Sequence, residues 1–370
     1  MTSYQVRSLD SIPSPSLLLF LDVARRNIQH MVEIAGDINR LRPHCKTHKI
    51  EEITKMQLEM GMLKHKCATL AEAEMLANAG CEDIFLAYNM VGPNIQRAVK
   101  FREKFPNAKL IVTADHPKPT LELAAAMVAA NTSVEVAVDI DNGYQRTGIA
   151  SPAEAAELYQ LIDKVDGLEL GGFHLYDGQN HQKDLDDRLS AVMKVWEQGQ
   201  QVRELVQAHG LHVPRIVAGG TGSFPVFADI EDDAMELSPG TTVLHDCGYQ
   251  DMFPDMDFTP AALVLSRVIS MPGESRLTLD CGSKAIASDP PMGNRLSIPE
   301  LPDAVQVIHN EEHLVIETSQ ADSYEPGDAL LLVPRHVCPT SALHQQVYVI
   351  ENGECVANWK VVGRDRVLTI

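Results

Sequence analysis

From Leu17 to Ala218 the chain repeats one rhythm, a short apolar run followed by an amphipathic stretch with helical spacing. Leu17 to Leu21 is the first run. Asp22 can cap the helix after it, in which Ile28, Met31, Val32, Ala35 and Ile38 share one face. Ala71 to Ala79 then reads as a helix ending at Gly80, Ile84 to Ala87 and Leu110 to Thr113 as strands, and Leu121 to Ala130 as a helix. Val134 to Ile140, Leu168 to His174 and Ile216 to Ala218 are further buried strands, separated by helices over Pro152 to Val165 and Arg188 to His209. Such alternation predicts an α/β fold, a parallel sheet wrapped by helices. With this many units a closed (β/α)8 TIM-like barrel is expected rather than an open sheet.

The texture changes near residue 250. Ala262 to Ile269, Arg276 to Leu279, Val305 to Ile308, His313 to Ile316, Ala329 to Val333 and Val347 to Ile350 are alternating runs split by turn residues, with no long helix among them. They predict a β domain in which Asn352-Gly353 turns a hairpin. The expected division is a barrel over 12–250 and a β domain over 251–370, joined by 1–11.

The 370 residues suffice for two cores, and 45% apolar with 22% charged residues is a globular composition. A formal net charge of −20 argues against nucleic acid or an anionic membrane as partner. Met1 to Asp10 lacks the basic-then-apolar pattern of a signal peptide, and no apolar run is long enough to span a bilayer. Seven cysteines without a small-domain framework fit reduced thiols, so a cytoplasmic protein is expected, with Cys67, Cys81 and Cys355 acting as small buried hydrophobes.

Four groupings carry chemistry. Arg42-Pro43-His44-Cys45-Lys46-Thr47-His48-Lys49 gathers lysines and histidines behind a proline; a lysine there can form a Schiff base if burial and cations such as Arg42 and Lys49 depress its pKa, and a solvated basic turn is the alternative. Gly219-Gly220-Thr221-Gly222-Ser223, after a late strand, offers backbone N–H groups and two hydroxyls to a phosphate, or is an ordinary turn. Arg146, beyond the Val134 to Ile140 strand, reaches a ligand oxygen or pairs with Asp139 or Asp141; His174, Tyr176 and His181, around the end of the next strand, are ring-contacting or proton-transfer candidates. His336-Val337-Cys338 places an imidazole and a thiol two residues apart, facing one way if the chain is extended, so the pair can share a metal while leaving positions open.

Taken together and in this order, these motifs resemble the D-threonine aldolase and eukaryotic-type D-serine dehydratase family. The resemblance extends to Asp141 to Gly148, Glu236-Leu237-Ser238-Pro239-Gly240, Asp280 to Ala285, Glu311-Glu312-His313 and Pro334 to Thr340, and covers nearly the whole chain. It implies a pyridoxal 5′-phosphate enzyme of the alanine-racemase-like fold, a barrel joined to a β domain and usually a homodimer. Lys46 then matches the Schiff-base lysine, Arg146 a contact to the cofactor's phenolic oxygen and Tyr176 a contact near the pyridine nitrogen. Gly220, Thr221, Gly222 and Ser223 match the phosphate cradle, and His336 and Cys338 hold a divalent metal, zinc by the soft sulfur, with manganese or magnesium as alternatives. Cys281 stands where a smaller residue such as alanine is expected.

The resemblance further implies a small β-hydroxy D-amino acid as substrate, with Lys46 as base for the α-proton. A metal-assisted dehydration of D-serine or D-threo-3-hydroxyaspartate gives keto acid and ammonia. If His181 instead takes the β-hydroxyl proton, the same site cleaves Cα–Cβ as a D-threonine aldolase does. Cys338, rather than a carboxylate, tilts the reading toward dehydration. A cofactor-homeostasis protein without turnover and a racemase are the remaining alternatives; the C-terminal β domain argues against the former, and no opposing tyrosine base is identifiable for the latter.

Overall fold

The computed structural model describes residues 4–7 and 9–370, so residues 1–3 and 8 of the segment judged to lack a leader lie outside the described residues. The chain divides into two compact units. One comprises 32–46, 51–240 and 365–370, and the other the residues up to 31, 47–50 and 241–364. Residues 12–31, 47–50 and 241–250, expected in the barrel, thus fall in the second unit, and 365–370, expected in the β domain, in the first.

The first strand, β1 (Ser16–Phe20), joins the second unit. Those of the first are β2 (Lys64–Cys67), β3 (Asp83–Asn89), β4 (Lys109–Ala114), β5 (Val134–Asp139), β6 (Leu168–His174), β7 (Ile216–Ala218) and β8 (Met235–Leu237), paired in parallel in that order. The helices are α1 (Leu21–Ala35), α2 (Glu51–Glu59), α3 (Leu70–Asn78), α4 (Pro93–Lys104), α5 (Pro117–Ala129), α6 (Pro152–Lys164), α7 (Leu185–Ala208) and the short α8 (Phe224–Ala228). Their starts follow from sequence: Ser151 accepts from Glu154 N ahead of Pro152, and Asp184 accepts from Asp186 N and Asp187 N. Asp22 lies inside the first turn of α1 rather than before it.

The strand expected at Leu17 to Leu21 forms, but in the other sheet, where it runs parallel to a C-terminal strand and antiparallel to another. The eighth position of the barrel is taken instead by Leu41–Cys45. This short extended segment makes isolated parallel bridges to Leu237 on one side and to Lys66 on the other. Arg42 N donates to Leu237 O at 2.8 Å, and Cys45 N and Lys66 N donate to Lys66 O and Pro43 O at 2.9 Å each. The ladder is too short to register as a strand, and Pro43, lacking an N–H, is part of the reason.

Inside the barrel Phe85, Ile111, Ala137 and Val217, from β3, β4, β5 and β7, form a fully buried layer. The fully buried Arg42 is held by Glu236 at 2.5 Å and Asp83 at 2.7 Å, with Lys64 2.9 Å from the other oxygen of Glu236. Across the barrel Glu135 binds both Arg215 and Lys109.

The second unit is a nine-stranded sheet. Besides β1 it contains β9 (Ala262–Ser270), β10 (Arg276–Leu279), β11 (Leu296–Ser297), β12 (Val305–His309), β13 (Leu314–Glu317), β14 (Ala329–Pro334), β15 (Gln346–Glu351) and β16 (Glu354–Lys360). The predicted hairpin joins β15 to β16, with Asn352 at φ +51° and Gly353 at φ +81°, the left-handed pair that a tight two-residue turn requires. Two short helices, α9 (Cys247–Met252) and α10 (Val337–Leu343), interrupt the sheet connections and were not foreseen. Among the described residues no helix is long and apolar enough to cross a membrane.

Candidate active site

Lys46 is the first residue after the closing segment Leu41–Cys45, in a turn where its backbone N–H donates to His44 Nδ1 at 3.2 Å. It opens onto a cavity of about 450 Å³ in the barrel unit, whose lining includes Lys66, Asp139, Arg146, His174 and Tyr176. The Tyr176 ring is the common neighbour. Its centroid lies 5.6 Å from Lys46 Nζ, 5.8 Å from Lys66 Nζ and 4.4 Å from the Arg146 guanidinium carbon. Such distances are those of cation–π contacts.

Neither carboxylate offered as an ion-pair partner for Arg146 takes that part. Asp139 Oδ1 lies 2.7 Å from His174 Nδ1, and Asp141 Oδ1 accepts from Gly143 N and Gln145 N. Among the described residues no carboxylate pairs with Lys46, Lys66 or Arg146, so the cavity carries surplus positive charge in an acidic protein. Arg42, by contrast, is neutralised by Glu236 and Asp83, which removes it as the cation expected to act on Lys46. A third cation facing this cavity is Lys66, which the sequence did not single out. A lysine inside a KHKC strand was the available signal.

Burial, and then Lys66, push His174 down to about 4, so its ring is neutral near pH 7. The Asp139 carboxylate fixes the proton on Nδ1, leaving the buried Nε2, which has no hydrogen-bond partner among the described residues, as a lone-pair acceptor. His181, the other histidine of this region, is exposed between β6 and α7 and is not among the cavity-lining residues. The structure brings Lys46, Arg146 and Tyr176 together and leaves His181 outside.

The Gly220 to Ser223 turn precedes α8 in the same unit. Ser223 Oγ donates to Asp177 Oδ1 at 2.8 Å, and Gly240 N donates to Thr221 Oγ1 at 3.2 Å. An added Cβ at Gly220 would lie 3.5 Å from the edge of the Tyr176 ring, which places this turn beside the cavity.

The second unit holds the other predicted pair. His336 and Cys338 are not on an extended strand: His336 is the N-cap of α10 and Cys338 lies in its first turn. Their side chains interact nonetheless. His336 Nδ1 lies 2.5 Å from Asp289 Oδ2, and Cys338 Sγ lies 3.2 Å from Thr47 Oγ1 and 3.7 Å from Thr241 Oγ1. The backbone between the pair is fixed by Asp246, whose Oδ2 accepts from Val337 N at 2.9 Å while Oδ1 accepts from Tyr249 N at 2.8 Å. Gly248 completes the seat, because a Cβ there would meet Arg335 O at 2.3 Å. Asp246, Gly248 and Asp289 carry no motif that sequence alone could read. A different trio, His44, Cys45 and Glu72, also clusters among the described residues, but it is buried and Glu72 Oε2 accepts from Ala68 N at 2.7 Å.

Comparison with known proteins places this arrangement. A profile described as alanine racemase, N-terminal domain, matches residues 20–244. The chain belongs to that family. It is an enzyme of the pyridoxal-phosphate-dependent fold type III. A putative serine dehydratase domain profile matches residues 261–350. A D-threonine aldolase from Arthrobacter sp is 29% identical over 364 residues, covering 96% of this chain and 94% of that protein. A D-threo-3-hydroxyaspartate dehydratase from Delftia sp. strain HT23 is 26% identical over 95% of this chain and 98% of its own length. The crystal structure of D-threonine aldolase from Filomicrobium marinum superposes with a TM-score of 0.91 at 26% identity, over 99% of this chain and 100% of that one. Within the family, the seven-stranded barrel sheet and the C-terminal sheet are thus the expected pair of units.

The cavity residues fit the family's cofactor. Uncompensated cations suit a group bearing phosphate and phenolate oxygens, and the unpartnered Nε2 of His174 is an acceptor awaiting a donor. The His336 and Cys338 side chains, with Asp289 behind the imidazole, likewise fit a metal that keeps open positions.

Proposed function

We propose that this chain is a pyridoxal-phosphate- and metal-dependent lyase acting on small β-hydroxy D-amino acids, and that it dehydrates them to a keto acid and ammonia. The observation that carries this reading is the cavity itself: a lysine amine and the Arg146 guanidinium converge on Tyr176, and among the described residues neither is paired with a carboxylate, Asp139 in the lining being bonded to His174. When bound, pyridoxal phosphate supplies an electron sink for the charge left on Cα after its proton departs.

The residues divide the remaining work. Lys46 Nζ would hold the cofactor and is the amine that would accept the proton from Cα. Arg146, stacked on Tyr176, directs its N–H donors to an anionic oxygen, and the Gly220, Thr221, Gly222 and Ser223 turn receives a phosphate. Tyr176 and the neutral His174 wall the ring side of the cavity and exclude water. His336 and Cys338 would hold the metal, zinc by the softness of the thiolate, and the metal supplies Lewis acidity toward a β-hydroxyl oxygen. Dehydration needs such an acid at the leaving hydroxyl. His181, assigned as base to the aldol route, is exposed and is not among the residues lining this cavity, which supports dehydration over that route.

The similarity to D-threonine aldolases supports a second reading, cleavage of Cα–Cβ to glycine and an aldehyde. Product analysis by NMR decides between the two. The protein, loaded with zinc and pyridoxal phosphate, is incubated separately with D-serine, D-threonine and D-threo-3-hydroxyaspartate, each with a chelator control. Keto acid and ammonia, lost with chelator, establish the dehydratase; glycine with an aldehyde establishes the aldolase. We further read the working form as a cytoplasmic homodimer. Seven cysteines, none of them in a disulfide among the described residues, support a reducing compartment, and sedimentation analysis tests the dimer.

A further inference from the structure

Lys66 projects from β2 into the barrel and is only 2% exposed, yet it lines the cavity that Lys46 opens onto. Its ammonium has one hydrogen-bond partner among the described residues, the hydroxyl of Ser238 at 3.0 Å. The acids whose charge it feels are engaged elsewhere. Asp139 is bonded to His174, and Asp177 accepts from Asn180 at 3.0 Å and Ser223 at 2.8 Å.

A buried cation with a single neutral acceptor is costly, and an apolar side chain would be more stable at that position. The cost shows in its basicity: burial first, then Lys46, push its pKa down to about 7. Arg42 supplies the contrast within the same unit, being equally buried but held by two carboxylates. What Lys66 lacks from the protein, a ligand in the cavity can provide.

We propose that Lys66 is an anion-binding residue of this cavity, taking an anionic oxygen that arrives with the ligand. Two sources offer that chemistry, a phenolate or phosphate oxygen of the cofactor and a carboxylate of the amino acid substrate. The assignment rests on the reading that the cavity receives both. It adds to Lys46 and Arg146 a third cation with a separate task, in which Lys66 carries charge and Lys46 carries the covalent link.

The test compares full-length wild type with Lys66→Met, Lys66→Gln and Lys66→Arg. Pyridoxal phosphate is titrated by absorbance, and malonate, an unreactive dicarboxylate, is titrated into the loaded protein by its perturbation of the cofactor spectrum. Loss of a charge-assisted hydrogen bond lowers affinity by at least about tenfold. If the neutral variants lose that factor for the cofactor, the oxygen is the cofactor's; if they lose it for malonate alone, it is the substrate's carboxylate. In either case Lys66→Arg retains most of the binding. Affinities within about twofold of wild type for both ligands overturn the proposal. Gln stands in should Met prevent folding. Failure of the functional reading looks different, since wild type would then not bind pyridoxal phosphate at Lys46. Thermal protection by inorganic phosphate, present in wild type and absent in the neutral variants, decides anion binding in that event; equal protection in all of them overturns it.

Discussion

Oδ2 of Asp289 lies 2.5 Å from Nδ1 of His336. With its proton on Nδ1 directed to that carboxylate, the imidazole keeps Nε2 as its ligating nitrogen, the arrangement a metal-bound histidine needs. Asp289→Asn is therefore expected to weaken metal binding about 10- to 100-fold while leaving cofactor binding unchanged. Competition with a chromophoric chelator measures the first, and absorbance titration the second. Unchanged metal affinity would remove Asp289 from the site.

Cys338 offers the thiolate of the pair, and Thr47 and Thr241 lie against its sulfur. Cys338→Ala should retain pyridoxal phosphate but lose the bound metal and at least about 99% of turnover, a loss within the range of a missing Lewis acid. Chelator treatment of wild type should reproduce the loss, and added zinc should restore activity in wild type alone. Full activity in the variant would sink the metal role.

Lys46 is the amine to which the cofactor is assigned. Lys46→Ala should abolish the absorbance band of the covalently held cofactor and lower kcat by at least about a thousandfold, as expected when a base at the reacting carbon is removed. Borohydride reduction followed by peptide mapping of wild type should place the label on Lys46. A label on another lysine would redirect the assignment.

Glu236 joins Arg42 and Lys64 in the barrel floor. Burial pushes its carboxyl up, but pairing with Arg42 and Lys64 outweighs burial and holds it at about 2. A depressed carboxyl stabilises the fold above its unfolded pKa, about 4.3, and loses that contribution as pH falls through the native value. Stability should therefore decline between about pH 4 and pH 2. Glu236→Gln leaves Arg42 with Asp83 alone, which is expected to cost about 3–5 kcal/mol and to flatten the acid limb. Urea unfolding across that pH range, followed by circular dichroism, is the check.

Much of the fold was legible because hydrophobic period and turn chemistry are local. Ile216–Ala218 and Arg276–Leu279 form strands with the predicted bounds, and Asn352-Gly353 turns the predicted hairpin. What failed was assignment between sheets. Ser16–Phe20 reads as an ordinary barrel strand, and nothing in five buried residues says which sheet will pair with them. Leu41–Cys45 does not read as a strand at all, since Pro43 breaks the pattern, yet it completes the barrel. The site behaved similarly. Lys46, Arg146 and Tyr176, named from motifs, lie together at one cavity, whereas Lys66, Asp246 and Asp289 bond to partners more than forty residues away in the chain, and no spacing rule connects them. Of the candidates around the end of β6, His174 and Tyr176 line the cavity and His181 does not.

The stave that closes the barrel, Leu41–Cys45, leads directly into Lys46. It has no regular ladder of its own and is held by Leu237 on one flank and Lys66 on the other, residues that lie at opposite ends of the sheet's strand order. The amine can come into place only when those two ends have met. If Lys46 is the lysine that takes the cofactor, its uptake doubles as a report that the ring has shut.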